Sequence, residues 1–359
     1  MAANIRRTRS GLSSRRCGSV RSSSSVHAVG EGCGGDAASW LTGHGRMMPT
    51  TLDSRRDSMR RMCPLLVLML FLLTSFGCSI NPATGARSLT LLSWDREVAM
   101  GTEAAPTMAE QFGGKTPDAE VQRYVNEVGH RLLNGIEDGV PDLPWEFTMV
   151  DSKVINAFAL PGGKVFISRG LAAQLHSEAE LAGVLGHEIG HVTARHANQR
   201  ISKQLGINGI IAIGALIVGA ADENSDLRRY GQMGLPALAL GGQVMLLKYG
   251  RDEELQADQL GIRYMTRAGY NPIGQRRVME TLEAEAKGPR PPEWLSTHPA
   301  TRTRIKRIDE MLRSTYASTQ HSGDYVLKKD EYQRRMLDRL SKLPPPRHGS
   351  QPATSSNPR

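Results

Sequence analysis

The chain has 359 residues, 39% of them hydrophobic, so it is long enough to bury a sizeable core in one large domain or two small ones. Its net charge of +9 arises mainly before residue 78, because residues 78–359 carry 34 basic and 32 acidic side chains; this near balance excludes a general polyanion-binding surface, and no nucleic-acid partner is expected. The four cysteines all lie at or before position 78, which excludes a disulfide framework and a thiolate metal site from the remainder of the chain.

The N-terminal region has two parts of different composition. Residues 1–58 are rich in Arg, Ser and Gly and poor in large apolar side chains, which predicts disorder. Residues 59–77 combine a charged start, an apolar run and small residues at the end, as secretory signal peptides do. Since such a signal begins at a true N-terminus, we hypothesise that translation starts at Met59 or slightly upstream and that residues 1–58 are not translated in vivo.

The signal ends at Cys78, which resembles the lipidated cysteine of a bacterial lipobox. The alternative is an uncleaved signal anchor, and both interpretations export the body of the protein and tether it to a membrane. Ser79 follows the cysteine, and bacterial lipoproteins without aspartate at that position are generally sorted to the outer membrane. The expected location is therefore the periplasmic side of the cell envelope, with a lipid anchor in the outer membrane.

The rest of the chain alternates helical periodicity with one group of short strands. An apolar stripe predicts a helix over 116–136, with Thr116 as its cap. Residues 145–151 predict a strand, and residues 154–170 predict two extended arms around Pro161-Gly162-Gly163, the pattern of a hairpin. Further helices are predicted to begin at Ser177, where Glu180 completes a capping box, and to cover 251–268, 271–287 and 299–313. The expected fold is α+β and mainly helical, with a small sheet or hairpin.

For two apolar stretches and the C-terminal segment, the sequence pattern alone does not select one type of structure. Residues 207–221 and 235–247 are each shorter than the roughly 20 residues that a membrane span needs. A buried or lid-like helical hairpin is favoured for them, and contact with a lipid surface is the alternative. Residues 321–359 are predicted to be a C-terminal extension whose polar, Pro-rich tail is disordered.

The sequence HEIGH at 187–191 places two histidines four positions apart on a predicted helix with apolar flanks. Because an α-helix turns about 100° per residue, His187 and His191 project from one face and can reach a single ion. Glu188 points away from that face, which suits a base acting on water better than a ligand. The alternative is a pair of surface histidines with a solvated glutamate. The apolar flanks weaken that alternative, because burying such groups unpaired costs several kcal/mol.

A catalytic zinc site needs a third protein ligand, and residues 249–265 (YGRDEELQADQLGIRYM) offer one. Glu254 and Asp258 lie four apart on a predicted helix. Glu254 can bind the metal while Asp258 accepts the ring N–H of a ligand histidine and fixes its orientation. An ordinary surface carboxylate is the alternative for Glu254, and the joint pattern argues against it.

HEIGH, EELQAD and HPATRTRI at 298–305, in this order, resemble the gluzincin metallopeptidases of the HtpX and CAAX-prenyl-protease type. NAFALPGGKVFIS at 156–168 resembles the strand that precedes the zinc helix in that family. A lipoprotein signal followed by one soluble peptidase domain is similar to the BepA-like periplasmic proteases, although no long helical-repeat domain is expected to follow. The resemblance covers about residues 90–315.

This resemblance implies a zincin-like metallopeptidase domain, which we place at 79–320, with one Zn²⁺ per chain and a strand that binds extended substrate. The implied metal ligands are His187, His191 and Glu254, with Glu188 as the general base. His298 is implied to be either a removable fourth ligand or a donor to the transition state. Residues implied to support the ligands are Asp258, Arg304 and His196, the last on the same helical face as His187 if that helix continues. Those implied to bind substrate are Asn156, Ala157, Phe158 and Ala159.

The expected function is zinc-dependent hydrolysis of peptide bonds in unfolded or misfolded envelope proteins. A non-catalytic envelope chaperone that uses the same cleft is the alternative from a different class. It would need the strand and the apolar segments but not the complete metal-binding set. An intramembrane protease is a third possibility, and it would require longer spans than the two apolar stretches provide.

Overall fold

The computed structural model describes residues 78–218, 248–288, 292–299 and 302–347. The predictions for the signal segment 59–77, for the apolar stretch 235–247 and for the end of the tail lie outside these residues. The apolar stretch 207–221 is described as helical backbone as far as Val218. Within the described part of the chain, no helix is both long enough and apolar enough to cross a bilayer.

The described strands form two small sheets. β1 (Cys78–Ile80) pairs antiparallel with β2 (Arg87–Leu89). The second sheet contains β3 (Glu146–Val150), β4 (Ala157–Leu160) and β5 (Lys164–Ser168) in the order β3-β5-β4. In it, β5 runs parallel to β3 and antiparallel to β4. Among the described residues β4 therefore has a neighbouring strand on one side only.

The helices occur in three groups along the chain. Before the hairpin come α1 (Trp94–Gln111) and α2 (Ala119–Leu133). After it come α3 (Arg169–Ala172), α4 (Glu178–Thr193) and α5 (His196–Val218). The third group is α6 (Arg251–Arg267), α7 (Ile273–Glu285), α8 (Trp294–Thr297), α9 (Arg302–Arg313), a 3₁₀ turn (Ala317–Gln320), α10 (Lys329–Tyr332), a π turn (Gln333–Leu337) and α11 (Asp338–Leu340). The prediction of a mainly helical α+β fold with a small sheet is confirmed.

Two helix starts test the predicted caps. The Asp118 carboxylate accepts the N–H groups of Glu120 and Val121, so α2 begins at Ala119 and the prediction that Thr116 caps it is wrong. Asp118 is the cap rather than Thr116 because its side chain lies directly before the first free N–H groups of the helix. Ser177 does cap α4, since its hydroxyl accepts the Glu180 N–H at 3.2 Å.

The helix α4 lies at the centre of the core, and every residue from Glu178 to Thr193 is buried. The sheet separates two apolar clusters. Ala157 and Ile167 face the main cluster, which includes α4, whereas Phe158 and Phe166 face a smaller cluster with α1. The edge strand β4 therefore runs alongside the helix that carries HEIGH.

Helices α4 and α6 approach each other closely because small residues line their contact. A Cβ added to Gly190 would lie 2.9 Å from the Ala257 carbonyl oxygen, and one added to Gly261 would lie 2.9 Å from the His187 backbone nitrogen. Only residues this small allow the backbones to come together. The close approach brings α6 carboxylates within reach of the α4 histidines.

The chain turns sharply after α4. Arg195 has a left-handed backbone with φ of 59°, and its guanidinium donates to the buried carboxylate of Glu97 at 2.7 Å. The condition under which His196 would share the face of His187, that one helix continues to it, is not met, because α4 ends at Thr193 and His196 begins α5. The turn nevertheless points His196 back toward α4.

The segment beyond residue 320 packs into the same core. Tyr332, Met336 and Leu340 belong to the main apolar cluster, and the Tyr332 hydroxyl donates to the Ala172 carbonyl at 2.6 Å. The boundary drawn at residue 320 stays a prediction. The described part of the extension, however, shares its core with the rest of the domain.

Candidate metal centre

Four buried side chains converge at the middle of α4. His187 and His191 of α4, Glu254 of α6 and His298 after α8 each place one possible ligand atom within 4.8 Å of the others. Each side chain is at most 3% exposed, so water cannot satisfy these groups. The structure thus brings together residues that are up to 111 positions apart in sequence.

The distances within this cluster suit one small cation. The Nε2 atoms of His187 and His191 are 3.1 Å apart, and they lie 3.6 and 3.5 Å from the two carboxylate oxygens of Glu254. Ligand bonds of about 2.0–2.1 Å in tetrahedral geometry place neighbouring ligand atoms roughly 3.3 Å apart. The donor set, imidazole nitrogen with carboxylate oxygen, is also the one that catalytic zinc takes. The residues therefore fit a zinc ion.

His298 occupies the fourth position of the cluster. Its Nδ1 lies 3.0 Å from Glu254 Oε1 and 3.4 Å from His187 Nε2. Its Nε2 lies 3.8 Å from Glu188 Oε1. One nitrogen of the ring thus faces the ligands and the other faces the predicted base.

The charge states of His191 and Glu254 suit metal binding. Burial lowers the pKa of His191 well below its ordinary value, so its imidazole is neutral at physiological pH. Burial alone would raise the pKa of Glu254, but the charges of His298 and Arg304 outweigh it and hold that pKa well below the usual range. For His298, burial acts to lower the pKa, and the carboxylates of Glu254 and Glu188 outweigh it and raise the pKa. Glu254 is therefore an anion at neutral pH.

Asp258 and Arg304 support the ligands from behind. Asp258 Oδ1 lies 3.0 Å from His187 Nδ1, so the ring N–H points to the carboxylate and Nε2 is left to face the cluster. Arg304 donates to both oxygens of Asp258 at 2.7 Å, and its Nη1 lies 2.6 Å from Glu254 Oε2. Gln275 donates a further hydrogen bond of 3.0 Å to Asp258. This arginine is fully buried, so its charge balances two buried carboxylates.

Glu188 is buried beside the cluster and held by a residue that sequence reasoning missed. The indole N–H of Trp294 donates to Glu188 Oε1 at 3.2 Å. The same indole stacks on His298, with ring centroids 4.9 Å apart and planes 20° apart. One tryptophan therefore orients both the predicted base and His298. Its only signal in the sequence is its place four residues before the HP motif.

Sequence reasoning also missed an aromatic wall and a glutamine. Tyr249 stacks on His191 at a centroid distance of 3.9 Å, and its backbone N–H donates to the Thr297 carbonyl. Gln256 lies 2.8 Å from His196, which in turn lies 2.9 Å from His191. Both Tyr249 and Gln256 stand in the stretch that predicted Glu254, but their residue types carry no metal-site signal by themselves.

The strand predicted to bind substrate is β4, preceded by Asn156. The Asn156 backbone N–H donates to the Ser168 hydroxyl, and the Phe158 ring stacks on Phe166 on the far side of the sheet. A small hollow is lined by Ala159 and its two successors together with His191 and Tyr249. The end of β4 thus adjoins the metal cluster, and its backbone rather than the Phe158 side chain is what it offers there.

Comparison with known proteins places this site in a family. The model of peptidase family M48 matches residues 119–312, which is more than half of the chain and includes the whole cluster. The chain belongs to peptidase family M48. This confirms the predicted resemblance to the gluzincin metallopeptidases and agrees with the zinc-compatible cluster. The roles of individual M48 site residues stay predictions.

Several named proteins are similar to this chain. The beta-barrel assembly-enhancing protease of Yersinia pestis is 29% identical over 277 residues, which is 73% of this chain and 55% of that protein. The mitochondrial metalloendopeptidase OMA1 of Schizosaccharomyces pombe is 29% identical over 247 residues, 68% of this chain and 69% of that protein. The chain thus spans about half the length of the bacterial relative. One of these proteins is named a protease and the other a metalloendopeptidase, and both names agree with the predicted enzyme class.

Proposed function

We propose that the chain is a zinc-dependent endopeptidase of the bacterial cell envelope with Glu188 as its general base. The observation that carries this proposal is the convergence of His187, His191 and Glu254 at distances that suit one zinc ion, with the Glu188 carboxylate beside them. Ionisable side chains buried this completely are costly unless they are paired with one another or bind a metal, and such clusters are typical of functional sites.

Bound zinc supplies Lewis-acid activation of the scissile carbonyl and of the attacking water. Glu188 then performs the proton transfers. The Trp294 indole holds its Oε1, and Oε2 accepts the proton of the attacking water and delivers it to the nitrogen of the leaving amine. Asp258 keeps the His187 proton on Nδ1 throughout, which keeps Nε2 as a ligand atom.

His298 has two roles in this proposal. Its Nδ1 lies among the ligand atoms, so His298 would be a fourth ligand when zinc is bound and no substrate is present. When substrate enters, the ring leaves that position and donates a hydrogen bond to the oxyanion. Its stacking on Trp294 offers a surface along which the ring can slide while it stays close to Glu188.

The proposed substrate is an extended polypeptide that adds itself as a strand to β4. An edge strand presents unpaired backbone groups, and such groups recognise a main chain rather than a particular side chain. Extended binding favours unfolded or misfolded envelope proteins over tightly folded ones. The bacterial relative is named for beta-barrel assembly, which is consistent with an envelope location.

We propose further that Cys78 is lipidated and tethers the domain to the outer membrane. The support is the signal pattern of residues 59–77 and the serine at position 79. Mass spectrometry of the N-terminal peptide from the mature protein tests this, with Cys78→Ser as the variant expected to lose the lipid. If the signal peptide is uncleaved and the Cys78 side chain is unmodified, lipidation is rejected.

The decisive experiment pairs zinc content with proteolysis. Glu188→Gln should bind one zinc per chain, as elemental analysis measures it, and cleave unfolded casein about 10²–10⁴-fold more slowly. Glu283→Gln, at an exposed position of α7, is the matched control and should behave as the unchanged chain does.

Two outcomes would contradict the proposal. Undiminished cleavage by Glu188→Gln would reject the assigned base. A wild-type chain that binds no zinc and cleaves nothing, but slows the aggregation of unfolded casein, would instead be the non-catalytic chaperone considered above.

A further inference from the structure

A chain of hydrogen bonds leads from Gln256 of α6 to the metal ligand His191. The Gln256 amide oxygen lies 2.8 Å from His196 Nε2, and His196 Nδ1 lies 2.9 Å from His191 Nδ1. The remaining nitrogen of His191, Nε2, faces His187 and Glu254. His196 is fully buried, so its ring has these two partners rather than water.

The chemistry of each partner fixes the proton on the next one. An amide oxygen can only accept a hydrogen bond, so His196 must carry its proton on Nε2. A neutral imidazole has a single N–H, so His196 Nδ1 is a lone pair and accepts from His191. His191 therefore carries its proton on Nδ1, and its Nε2 lone pair points at the metal position.

The opposite orientation of the Gln256 amide would move the proton of each imidazole to its other nitrogen. With the amide nitrogen toward His196, the proton of His196 would lie on Nδ1 and that of His191 on Nε2. A protonated Nε2 cannot bind a metal. The orientation of one amide and the ability of His191 to bind zinc are thus coupled.

We propose that Gln256 and His196 are positioning residues that select the zinc-binding tautomer of His191. This inference rests on the proposed zinc site. It makes the two histidine ligands of α4 unequal: His187 is oriented by the carboxylate of Asp258, whereas His191 is oriented by a neutral relay that ends at an amide. A carboxylate makes its ligand more basic, and an amide fixes the tautomer without adding charge.

The turn between α4 and α5 makes the relay possible. The left-handed backbone of Arg195 ends one helix and starts the next, so His196 faces back toward His191. The Tyr249 ring lies over His191 and also contacts His196, at centroid distances of 3.9 and 6.1 Å. These contacts hold both imidazole planes, so the remaining choice is where each proton resides.

The first test measures the zinc dissociation constant of the full chain by competition with a chelator. Gln256→Leu removes the acceptor while keeping the approximate shape, and it should weaken zinc binding about 10–100-fold. Gln256→Glu keeps an acceptor at the same place and should bind zinc as tightly as the wild type or more tightly. Gln199→Leu is the matched control, because Gln199 donates to the Ala194 carbonyl without touching the relay, and its zinc affinity should not change.

The second test separates a relay from a merely structural role. In His196→Asn, the asparagine oxygen can accept directly from His191, so the tautomer no longer depends on Gln256. Adding Gln256→Leu to that background should then cost no further zinc affinity. Nitrogen-15 spectra of the zinc-loaded wild type should also show His191 protonated on Nδ1.

Each outcome decides the matter. An unchanged zinc affinity in Gln256→Leu, or an equal loss in both backgrounds, would overturn the relay even if proteolysis persists. If Gln256→Leu does not fold, the pair His196→Phe and His196→Asn decides, because only the phenylalanine lacks an acceptor and only it should weaken zinc binding. A wild-type chain without zinc affinity would reject the proposed function itself and not only the relay.

Discussion

The close contact between α4 and α6 can be tested by adding a single methyl group to it. A Cβ at Gly261 would lie 2.9 Å from the His187 nitrogen and 3.0 Å from the Gly186 carbonyl carbon, whereas ordinary contacts begin at 3.4 Å. Both neighbours are backbone atoms, which cannot rotate away. Gly261→Ala therefore requires the two helices to separate by roughly 0.5 Å or to tilt.

The expected cost follows from this displacement. Overpacking of a core costs about 1–3 kcal/mol, and the better helix propensity of alanine recovers about 1 kcal/mol of it. We expect a net loss of up to about 2 kcal/mol in the free energy of unfolding. Because metal–ligand distances tolerate only about 0.2 Å, the shift of Glu254 relative to His187 should also weaken zinc binding about tenfold.

The assay compares Gly261→Ala with Gly206→Ala in urea denaturation and in chelator competition. Gly206 also lies inside a helix, but a Cβ there would meet no atom within 4 Å. Its replacement should raise stability by about 0.5–1 kcal/mol and leave zinc affinity unchanged. If the two variants behave alike in both measurements, close packing at Gly261 does not set the ligand positions.

Three further substitutions probe groups that hold the site. Trp294→Phe keeps a ring but removes the indole N–H from Glu188, so casein cleavage should slow about tenfold at unchanged zinc content; unchanged cleavage would contradict that role. Arg304→Lys keeps the charge but loses the two-pronged contact with Asp258, so the zinc dissociation constant should rise about 10–100-fold, as chelator competition can check. For Glu178, burial acts to raise the pKa, but hydrogen bonds from a lysine and two tyrosines outweigh it and lower the pKa. Its stabilising effect is therefore full above the unfolded-state pKa of about 4.3 and is lost as pH falls through the lower folded-state pKa, so the stability difference from Glu178→Gln should shrink over that window in urea titrations at several pH values.

The ligand helices could be predicted because the information in them is local. The four-residue spacing of His187 and His191 fixes their shared face whatever the tertiary structure, and the same holds for Glu254 and Asp258. That these two pairs meet is a long-range fact, which the sequence suggested through the need of a zinc site for a third ligand and through the family resemblance. The small residues Gly190 and Gly261, which allow the meeting, carry no such signal until both helices are in place.

The features that the sequence did not predict have a common physical origin. The sequence RHANQR contains no glycine or proline to announce a break, yet Arg195 adopts a left-handed conformation because a buried ion pair with Glu97 compensates for it. Thr116 and Asp118 are both acceptable caps by residue type, and only the backbone path decides between them. Trp294 and Gln256 are ordinary core and helix residues until tertiary contacts give them hydrogen-bond partners in the site.

The sheet shows the same division between local and long-range information. Gly162 and Gly163, with φ of 76° and 94°, form the turn that the hairpin prediction required. The parallel pairing of β3 with β5 is not encoded in that turn, and it is this pairing that leaves β4 at the edge beside α4. An edge position is what strand addition by a substrate needs, so the proposed binding mode depends on a contact that no local pattern contains.

Both ends of α4 are held by residues outside the range that matches the M48 family. At its first turn, the N–H groups of Glu178 and Ala179 donate to the carbonyls of Lys328 and Leu327, which lie beyond residue 312. At its last turn, the Asn81 side chain donates to the Thr193 carbonyl at 2.9 Å, from a position before residue 119. A helix end without partners frays; His191 lies two residues before the last residue of α4, and His187 lies nine residues after its first. The proposed ligands and base therefore all lie within the matched range. The contacts that hold the two ends of their helix in place come from both flanking segments.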